Sequence, residues 1–123
     1  MKNLPRLTDE DFDEQRLVNH SGQSVIIFSA DWCPYCVSFF NNWEEYSRVS
    51  SAMIADLTSI DSRLWEGFDL NVVPSMAIFK DGILEKRWDG ILGRGLSIDQ
   101  IEDVKSYFSK SLFENSCNGQ NQD

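Results

Sequence analysis

The sequence predicts an α/β fold, a central mixed β-sheet flanked by helices on both faces. Three observations carry this. Val25-Ile26-Ile27-Phe28 is an unbroken apolar run, as in a strand buried on both faces of a sheet. A helical pattern follows it, with apolar residues spaced three and four apart. Further on, Asp81-Gly82 separates two strand-like runs, 75–80 and 83–88. Such a pair marks a tight hairpin, because Gly supplies the positive φ the turn requires. Strand–helix–strand units imply right-handed parallel crossovers, and the hairpin adds an antiparallel edge.

The elements follow in order. Thr8-Asp9-Glu10-Asp11 reads as an N-cap with an acidic first turn, opening a helix to about Val18 with Phe12 and Leu17 as buried contacts. His20-Ser21-Gly22-Gln23 is a polar turn. A strand runs from Ser24 to Ala30. The helix after it carries Cys36, Val37, Phe39, Phe40, Trp43 and Tyr46 over about four turns. Ser51 to Leu57 is a second buried strand. Thr58-Ser59-Ile60-Asp61 resembles a capped start for a short helix to Gly67.

In the hairpin's second arm, Leu84, Lys86 and Trp88 alternate with Ile83, Glu85 and Arg87, the pattern of an edge strand with one wet face. Gly90, Gly93 and Gly95 mark a flexible loop. Ser97 and Gln100 form a capping box for a last helix whose apolar stripe is Ile98, Ile101, Val104, Phe108 and Leu112. Cys117 is the only apolar residue from Glu114 to Asp123. Residues 1–113 therefore read as one domain and 114–123 as a disordered tail.

Composition narrows the function. A chain of 123 residues builds one core, and 41 % hydrophobic with 25 % charged residues is ordinary for a globular protein. The net charge of −9 argues against nucleic acid or an anionic membrane as partner and serves solubility. No stretch approaches the roughly 20 apolar residues of a membrane span, and the N-terminus lacks a secretory h-region. Three cysteines are too few for a disulfide scaffold and leave one unpaired. The cysteine usage fits a reducing cytoplasm, where a CxxC pair is catalytic or metal-binding more often than structural, and a monomer is expected.

That pair lies in Trp32-Cys33-Pro34-Tyr35-Cys36, at a strand-to-helix junction. Disulfide exchange begins with a thiolate, and free amides at a helix start, with the positive end of its dipole, stabilise one there. Pro34 suits the first helical position, because its missing N–H would have had no helical partner. Cys36 follows one turn on and faces the same way. The chemistry indicated is a thiol–disulfide oxidoreductase in which Cys33 attacks a substrate disulfide and Cys36 resolves the mixed disulfide.

The chain resembles the thioredoxin family over roughly Leu7 to Phe113. The resemblance rests on Leu7-Thr8-Asp9 with Phe12, Ala30-Asp31-Trp32-Cys33 with Cys36, Val73-Pro74, Phe79-Lys80-Asp81-Gly82 and Gly90. It implies a thioredoxin fold and a cis bond at Val73-Pro74. It also implies a Val73 backbone that pairs with an extended substrate, and a Pro74 that keeps an amide away from the thiols. Trp32, Pro34 and Tyr35 are then substrate contacts beside Cys33, and Gly90 lets a substrate backbone approach. The implied partners are disulfide-containing client proteins and a thioredoxin-reductase-like electron donor, with no cofactor beyond the redox-active disulfide itself.

Two departures stand out. Pro34-Tyr35 resembles glutaredoxins, where thioredoxins usually carry Gly-Pro. Ile27 stands where thioredoxins bury an Asp, and Ala55-Asp56-Leu57 lacks the Lys that accompanies it. The Cys36 proton must then pass to Asp56, Asp31 or water, and Asp56 is the choice because it lies on an adjacent strand. Three other readings stay open: a glutathione-linked glutaredoxin-like enzyme, a CxxC metal or iron–sulfur module, and a redox-inert binding module. Trp43, Trp65 and Trp88 read as packing residues, Cys117 as an inert thiol, and His20 has no assigned role.

Overall fold

The structure is a computed structural model that describes residues 4–47, 52–91 and 94–117, with 108–117 described by backbone only. Its strands are β1 (Arg6–Leu7), β2 (Phe12–Asp13), β3 (Arg16–Leu17), β4 (Gln23–Ser29), β5 (Ala52–Asp56), β6 (Ser75–Lys80) and β7 (Ile83–Trp88). Its helices are α1 (Pro34–Tyr46), α2 (Arg63–Gly67) and α3 (Ile98–Cys117). Five strands make one sheet in the order β1-β5-β4-β6-β7. β4 is central, parallel to β5 from Val25↔Ala52 to Ser29↔Asp56 and antiparallel to β6. β7 closes one edge antiparallel, and β1 closes the other parallel to β5.

The pleat of β4 divides the core. Ile26 and Phe28 face a cluster with Phe12, Leu17, Leu64 and Phe68. Val25 and Ile27 face the other, with Phe39, Phe40 and Trp43 of α1 and Ile101 and Val104 of α3. Each fully buried side chain of this size contributes on the order of 1.5–3 kcal/mol, so β4 anchors both layers at once. The result is the predicted mixed sheet with helices on both faces. The β6–β7 turn is as read: Asp81 and Gly82 take φ of 52° and 85°, the two positive values of a type I′ turn. The Ser97–Gln100 box also forms, with Gln100 N–H donating to Ser97 Oγ and Ser97 N–H to Gln100 Oε1.

Several expectations are corrected. No helix runs from Asp9 to Val18. Asp9–Asp11 make one 3-10 turn capped by Thr8, and β2 and β3 then form a small hairpin with Phe12 opposite Leu17. Residues five apart lie about 140° apart around a helix, so only the hairpin buries both side chains together. Phe12 packs edge-on to Phe68 and Phe79.

The short helix begins at Arg63, not near Thr58, with Ser62 as its cap, because the Thr58 hydroxyl is engaged elsewhere. Ile98 is 38 % exposed, while Ile101 and Val104 on the same stripe are buried. α3 continues to Cys117, into the segment expected to be a tail, and residues 118–123 lie outside the described residues. Phe108 and Leu112 belong to the stretch described by backbone only, and Gly93 lies outside the described residues. Among the described residues, no helix is long and apolar enough to cross a membrane.

Candidate active site

β4 ends at Ser29, and a tight turn, closed by Cys33 N–H donating to the Ala30 carbonyl at 3.2 Å, delivers the motif to the start of α1. Cys33 is the N-cap and Pro34 opens the helix. The Cys36 amide donates to Cys33 Sγ at 3.2 Å, the hydrogen bond expected of a sulfur at a helix start. The Cys33 thiol donates to the Val73 carbonyl oxygen at 3.4 Å. Val73–Pro74 is the cis peptide bond. The two sulfurs and Val73 thus meet at one point, forty residues apart in sequence. Both cysteines are free thiols.

Cys36 is 1 % exposed. Burial, with the Cys33 thiol alongside, pushes its thiol from an ordinary 9.0 up to about 12, against the opposing influence of the nearby Ser29 side chain and the Ala30 backbone. The buried partner therefore stays protonated in the resting dithiol.

Trp32 is 55 % exposed and lies stacked on Trp65, with ring centroids 6.3 Å apart and planes 12° from parallel. A groove beside Cys33 runs between this pair and Asn71, Val72 and Val73, with Tyr35 at its margin. Trp65, read as a packing residue, is partly buried against the core and also extends the site. Beneath Trp32, Thr58 joins three segments. Its carbonyl accepts from Trp32 Nε1 at 2.8 Å, its Oγ1 accepts from the Asp31 amide at 3.0 Å, and its own hydroxyl donates to Asp56 Oδ1 at 2.6 Å.

Asp56 does sit on the strand beside β4, opposite Ser29. Its carboxylate, however, is bound by the Thr58 amide and hydroxyl and by Arg6. Burial would raise its pKa, but these donors and the Arg6 charge outweigh burial and hold the carboxyl below the usual range. Asp31 pairs with the same arginine at 3.5 Å.

Gly90 lies against Pro74: a Cβ there would fall on the Pro74 carbonyl oxygen. The close approach that this glycine permits is by the chain's own backbone. Gly95 (φ 77°) was read only as loop, yet a Cβ on it would lie 3.1 Å from Tyr35 Cβ and 3.5 Å from Pro74 Cδ. Gly95, Thr58 and Trp65 are the residues sequence reasoning did not bring to the site. Gly95 had a signal in its glycine-marked loop; the other two act through contacts between segments far apart in sequence, Thr58 just beyond β5 and Trp65 on α2, and left none. Among the described residues, no three His, Cys, Asp or Glu side chains gather as a metal-binding group would.

The thioredoxin family model matches residues 3–102. No curated protein matches the sequence. Among solved structures, thioredoxin f2 of Chlamydomonas reinhardtii aligns with a TM-score of 0.64 at 15 % identity, covering 83 % of this chain and 93 % of its own. At that identity the likeness speaks to the fold. A close pair of cysteines on this fold supports thiol–disulfide oxidoreductase chemistry in general. With most of its length matched by the family model, the chain belongs to the thioredoxin family.

Proposed function

We propose that this chain reduces disulfide bonds in client proteins. The observation that carries the reading is the Cys36 amide on Cys33 Sγ, at a helix start that opens onto the groove beside Val73. In the first step the Cys33 thiolate attacks a client disulfide. A Cys33–client bond forms, the client S–S bond breaks, and the departing client sulfur takes up a proton. In the second step Cys36 gives up its proton and attacks Cys33 Sγ. The Cys33–Cys36 disulfide forms and the second client thiol leaves, so two electrons pass from dithiol to client.

The client segment lies extended along Val73 and Pro74, with Trp32 and Tyr35 against its side chains. In this reading Pro34 sets the helix start, Gly90 keeps the Pro74 backbone close, and Asp56 holds the frame under Trp32 rather than receiving a proton. A thioredoxin-reductase-like donor restores the dithiol. The glutaredoxin-like pair Pro34-Tyr35 favours glutathione as a second candidate donor.

The test is trapping. With Cys36→Ser, mixed disulfides between Cys33 and client proteins accumulate and are released by reductant; with Cys33→Ser they do not form. Insulin reduction driven by a thioredoxin reductase, and not by glutathione, supports the first donor. Absence of both trapping and insulin reduction overturns the reading.

A further inference from the structure

The Ser29 hydroxyl has no hydrogen-bond partner, the only buried side-chain N or O atom so placed among the described residues. The residue is 0 % exposed. A buried, unpaired hydroxyl costs stability, so its presence calls for a use that the resting dithiol does not show.

Its position suggests one. Successive side chains along a strand alternate faces. Ser29 therefore shares a face with Val25 and Ile27, the face packed against α1. Cys36 lies in the first turn of that helix. Ser29 is one of the few groups that act on its sulfur, together with the Ala30 backbone and Cys33. We infer that the Ser29 hydroxyl is the hydrogen-bond donor that stabilises the Cys36 thiolate during the resolving step.

The surroundings leave little else for the task. Water is nearly excluded from Cys36. Ile27, two residues back on the same face, is apolar. On the strands beside β4 the ionisable residues are Asp56 of β5, which is bound to Arg6 of β1, and Lys80 of β6, which lies opposite Gln23 at the far end of β4 from Ser29. Once Cys33 has joined the client disulfide, its thiol no longer raises the Cys36 pKa. What remains is burial on one side and two donors, Ser29 and the Ala30 backbone, on the other. The proton Cys36 loses need not stay in the protein, because the departing client thiolate takes one up in the same step. Ser29 supplies a hydrogen bond and leaves the proton balance unchanged.

The inference rests on the dithiol reading above, and one experiment separates the two. The full chain carrying Cys117→Ser is mixed with one equivalent of 5,5′-dithiobis(2-nitrobenzoate), and release of the aromatic thiolate is followed by absorbance. The first phase reports attack by Cys33; the second reports resolution by Cys36. In Ser29→Ala the first phase is unchanged. The second slows about three- to tenfold at neutral pH, as expected when a hydrogen bond to a thiolate is lost and part of the effect is returned as nucleophilicity. Its pH profile moves to higher pH, a displacement that a purely structural role would not produce.

Ser29→Ala removes an unpaired buried group, so the variant folds at least as stably as the parent. Ser29→Thr, which keeps the hydroxyl, retains a second phase faster than that of the Ala variant. An unchanged second phase and pH profile in Ser29→Ala overturns the inference while leaving the dithiol reading intact. A parent protein with no second phase overturns both.

Discussion

The Trp32 indole donates from Nε1 to the Thr58 carbonyl oxygen at 2.8 Å. Trp32 belongs to the turn before α1, and Thr58 lies two residues beyond β5. The bond therefore ties the exposed face of the motif to the end of a neighbouring parallel strand. Thr58 in turn leans on Asp56, and Asp56 on Arg6 of β1. A chain of polar contacts thus crosses from the sheet edge to the residue beside Cys33, while the groove in front of it is largely apolar. The arrangement holds Trp32 against Trp65 without burying it.

Asp56→Asn tests that chain. The substitution keeps an acceptor for Thr58 and removes the charge facing Arg6, and it should cost about 1 kcal/mol at neutral pH. Because the folded-state pKa of Asp56 lies below its unfolded value, its contribution is present above about pH 4 and is lost as pH falls through the folded value. The gap between parent and variant in urea midpoint should therefore close below about pH 4. A gap that persists undiminished in acid would show that the charge is not what matters.

What was legible in the sequence was whatever a local signal sufficed to specify. The apolar run of β4 marked a central strand because burial on both faces leaves no room for alternation. Asp81-Gly82 marked its turn because both positions need positive φ. The capping box of α3 needed only Ser97 and Gln100. The Phe12–Leu17 hairpin carried no such mark: its positive φ falls on Glu14, a residue that advertises no turn. The start of α2 was misplaced because Thr58 has the chemistry of a cap and spends it on Asp56 and Asp31. The cysteines were readable from their spacing, and Val73-Pro74 from a resemblance. The Trp65 stack and the unpaired Ser29 hydroxyl exist only once the fold brings distant segments together, α2 against the turn before α1 in one case and α1 over the end of β4 in the other.

Reduced protein should lose stability in alkali where oxidised protein does not. Cys36 titrates near its ordinary value when unfolded but is pushed up to about 12 when folded. Between those values the unfolded chain releases a proton that the native state keeps, so stability falls as pH rises. The slope approaches about 1.4 kcal/mol per pH unit for the one group. Urea unfolding of the reduced protein from pH 8 upward, compared with the oxidised protein and with reduced Cys36→Ala, isolates the effect. Equal alkaline slopes in all three would contradict the assigned burial of this thiol.

Gly90→Ala should damage the site from outside it. The new Cβ would displace the Pro74 carbonyl and crowd Val72 Cγ1, 3.3 Å away. Overpacking of this kind costs about 1–3 kcal/mol, and the segment it moves is the one that carries the Val73 carbonyl to Cys33. Both the urea midpoint and the rate of Cys33 alkylation should change. Gly67→Ala, whose Cβ meets nothing closer than 3.9 Å, is the matched control and should be neutral.

The potential of the Cys33–Cys36 couple should lie on the glutaredoxin side of thioredoxin. A couple becomes more oxidising as its dithiol is stabilised relative to its disulfide. Here the reduced form holds Cys33 between the Cys36 amide, which donates to its sulfur, and the Val73 carbonyl, which accepts from its thiol. The second of these bonds needs an S–H and cannot survive oxidation. Pro34-Tyr35 also resembles the glutaredoxin pair, and glutaredoxins are more oxidising than thioredoxin. The expected value is about −200 to −230 mV, against about −270 mV for thioredoxin. Replacing Pro34-Tyr35 by Gly-Pro should lower it by about 30 mV or more, equivalent to roughly 1.4 kcal/mol in favour of the disulfide. Equilibration against glutathione and dithiothreitol buffers, read by alkylation of the free thiols, measures both proteins on one scale. A parent value more negative than that of thioredoxin would mean that these bonds do not govern the couple.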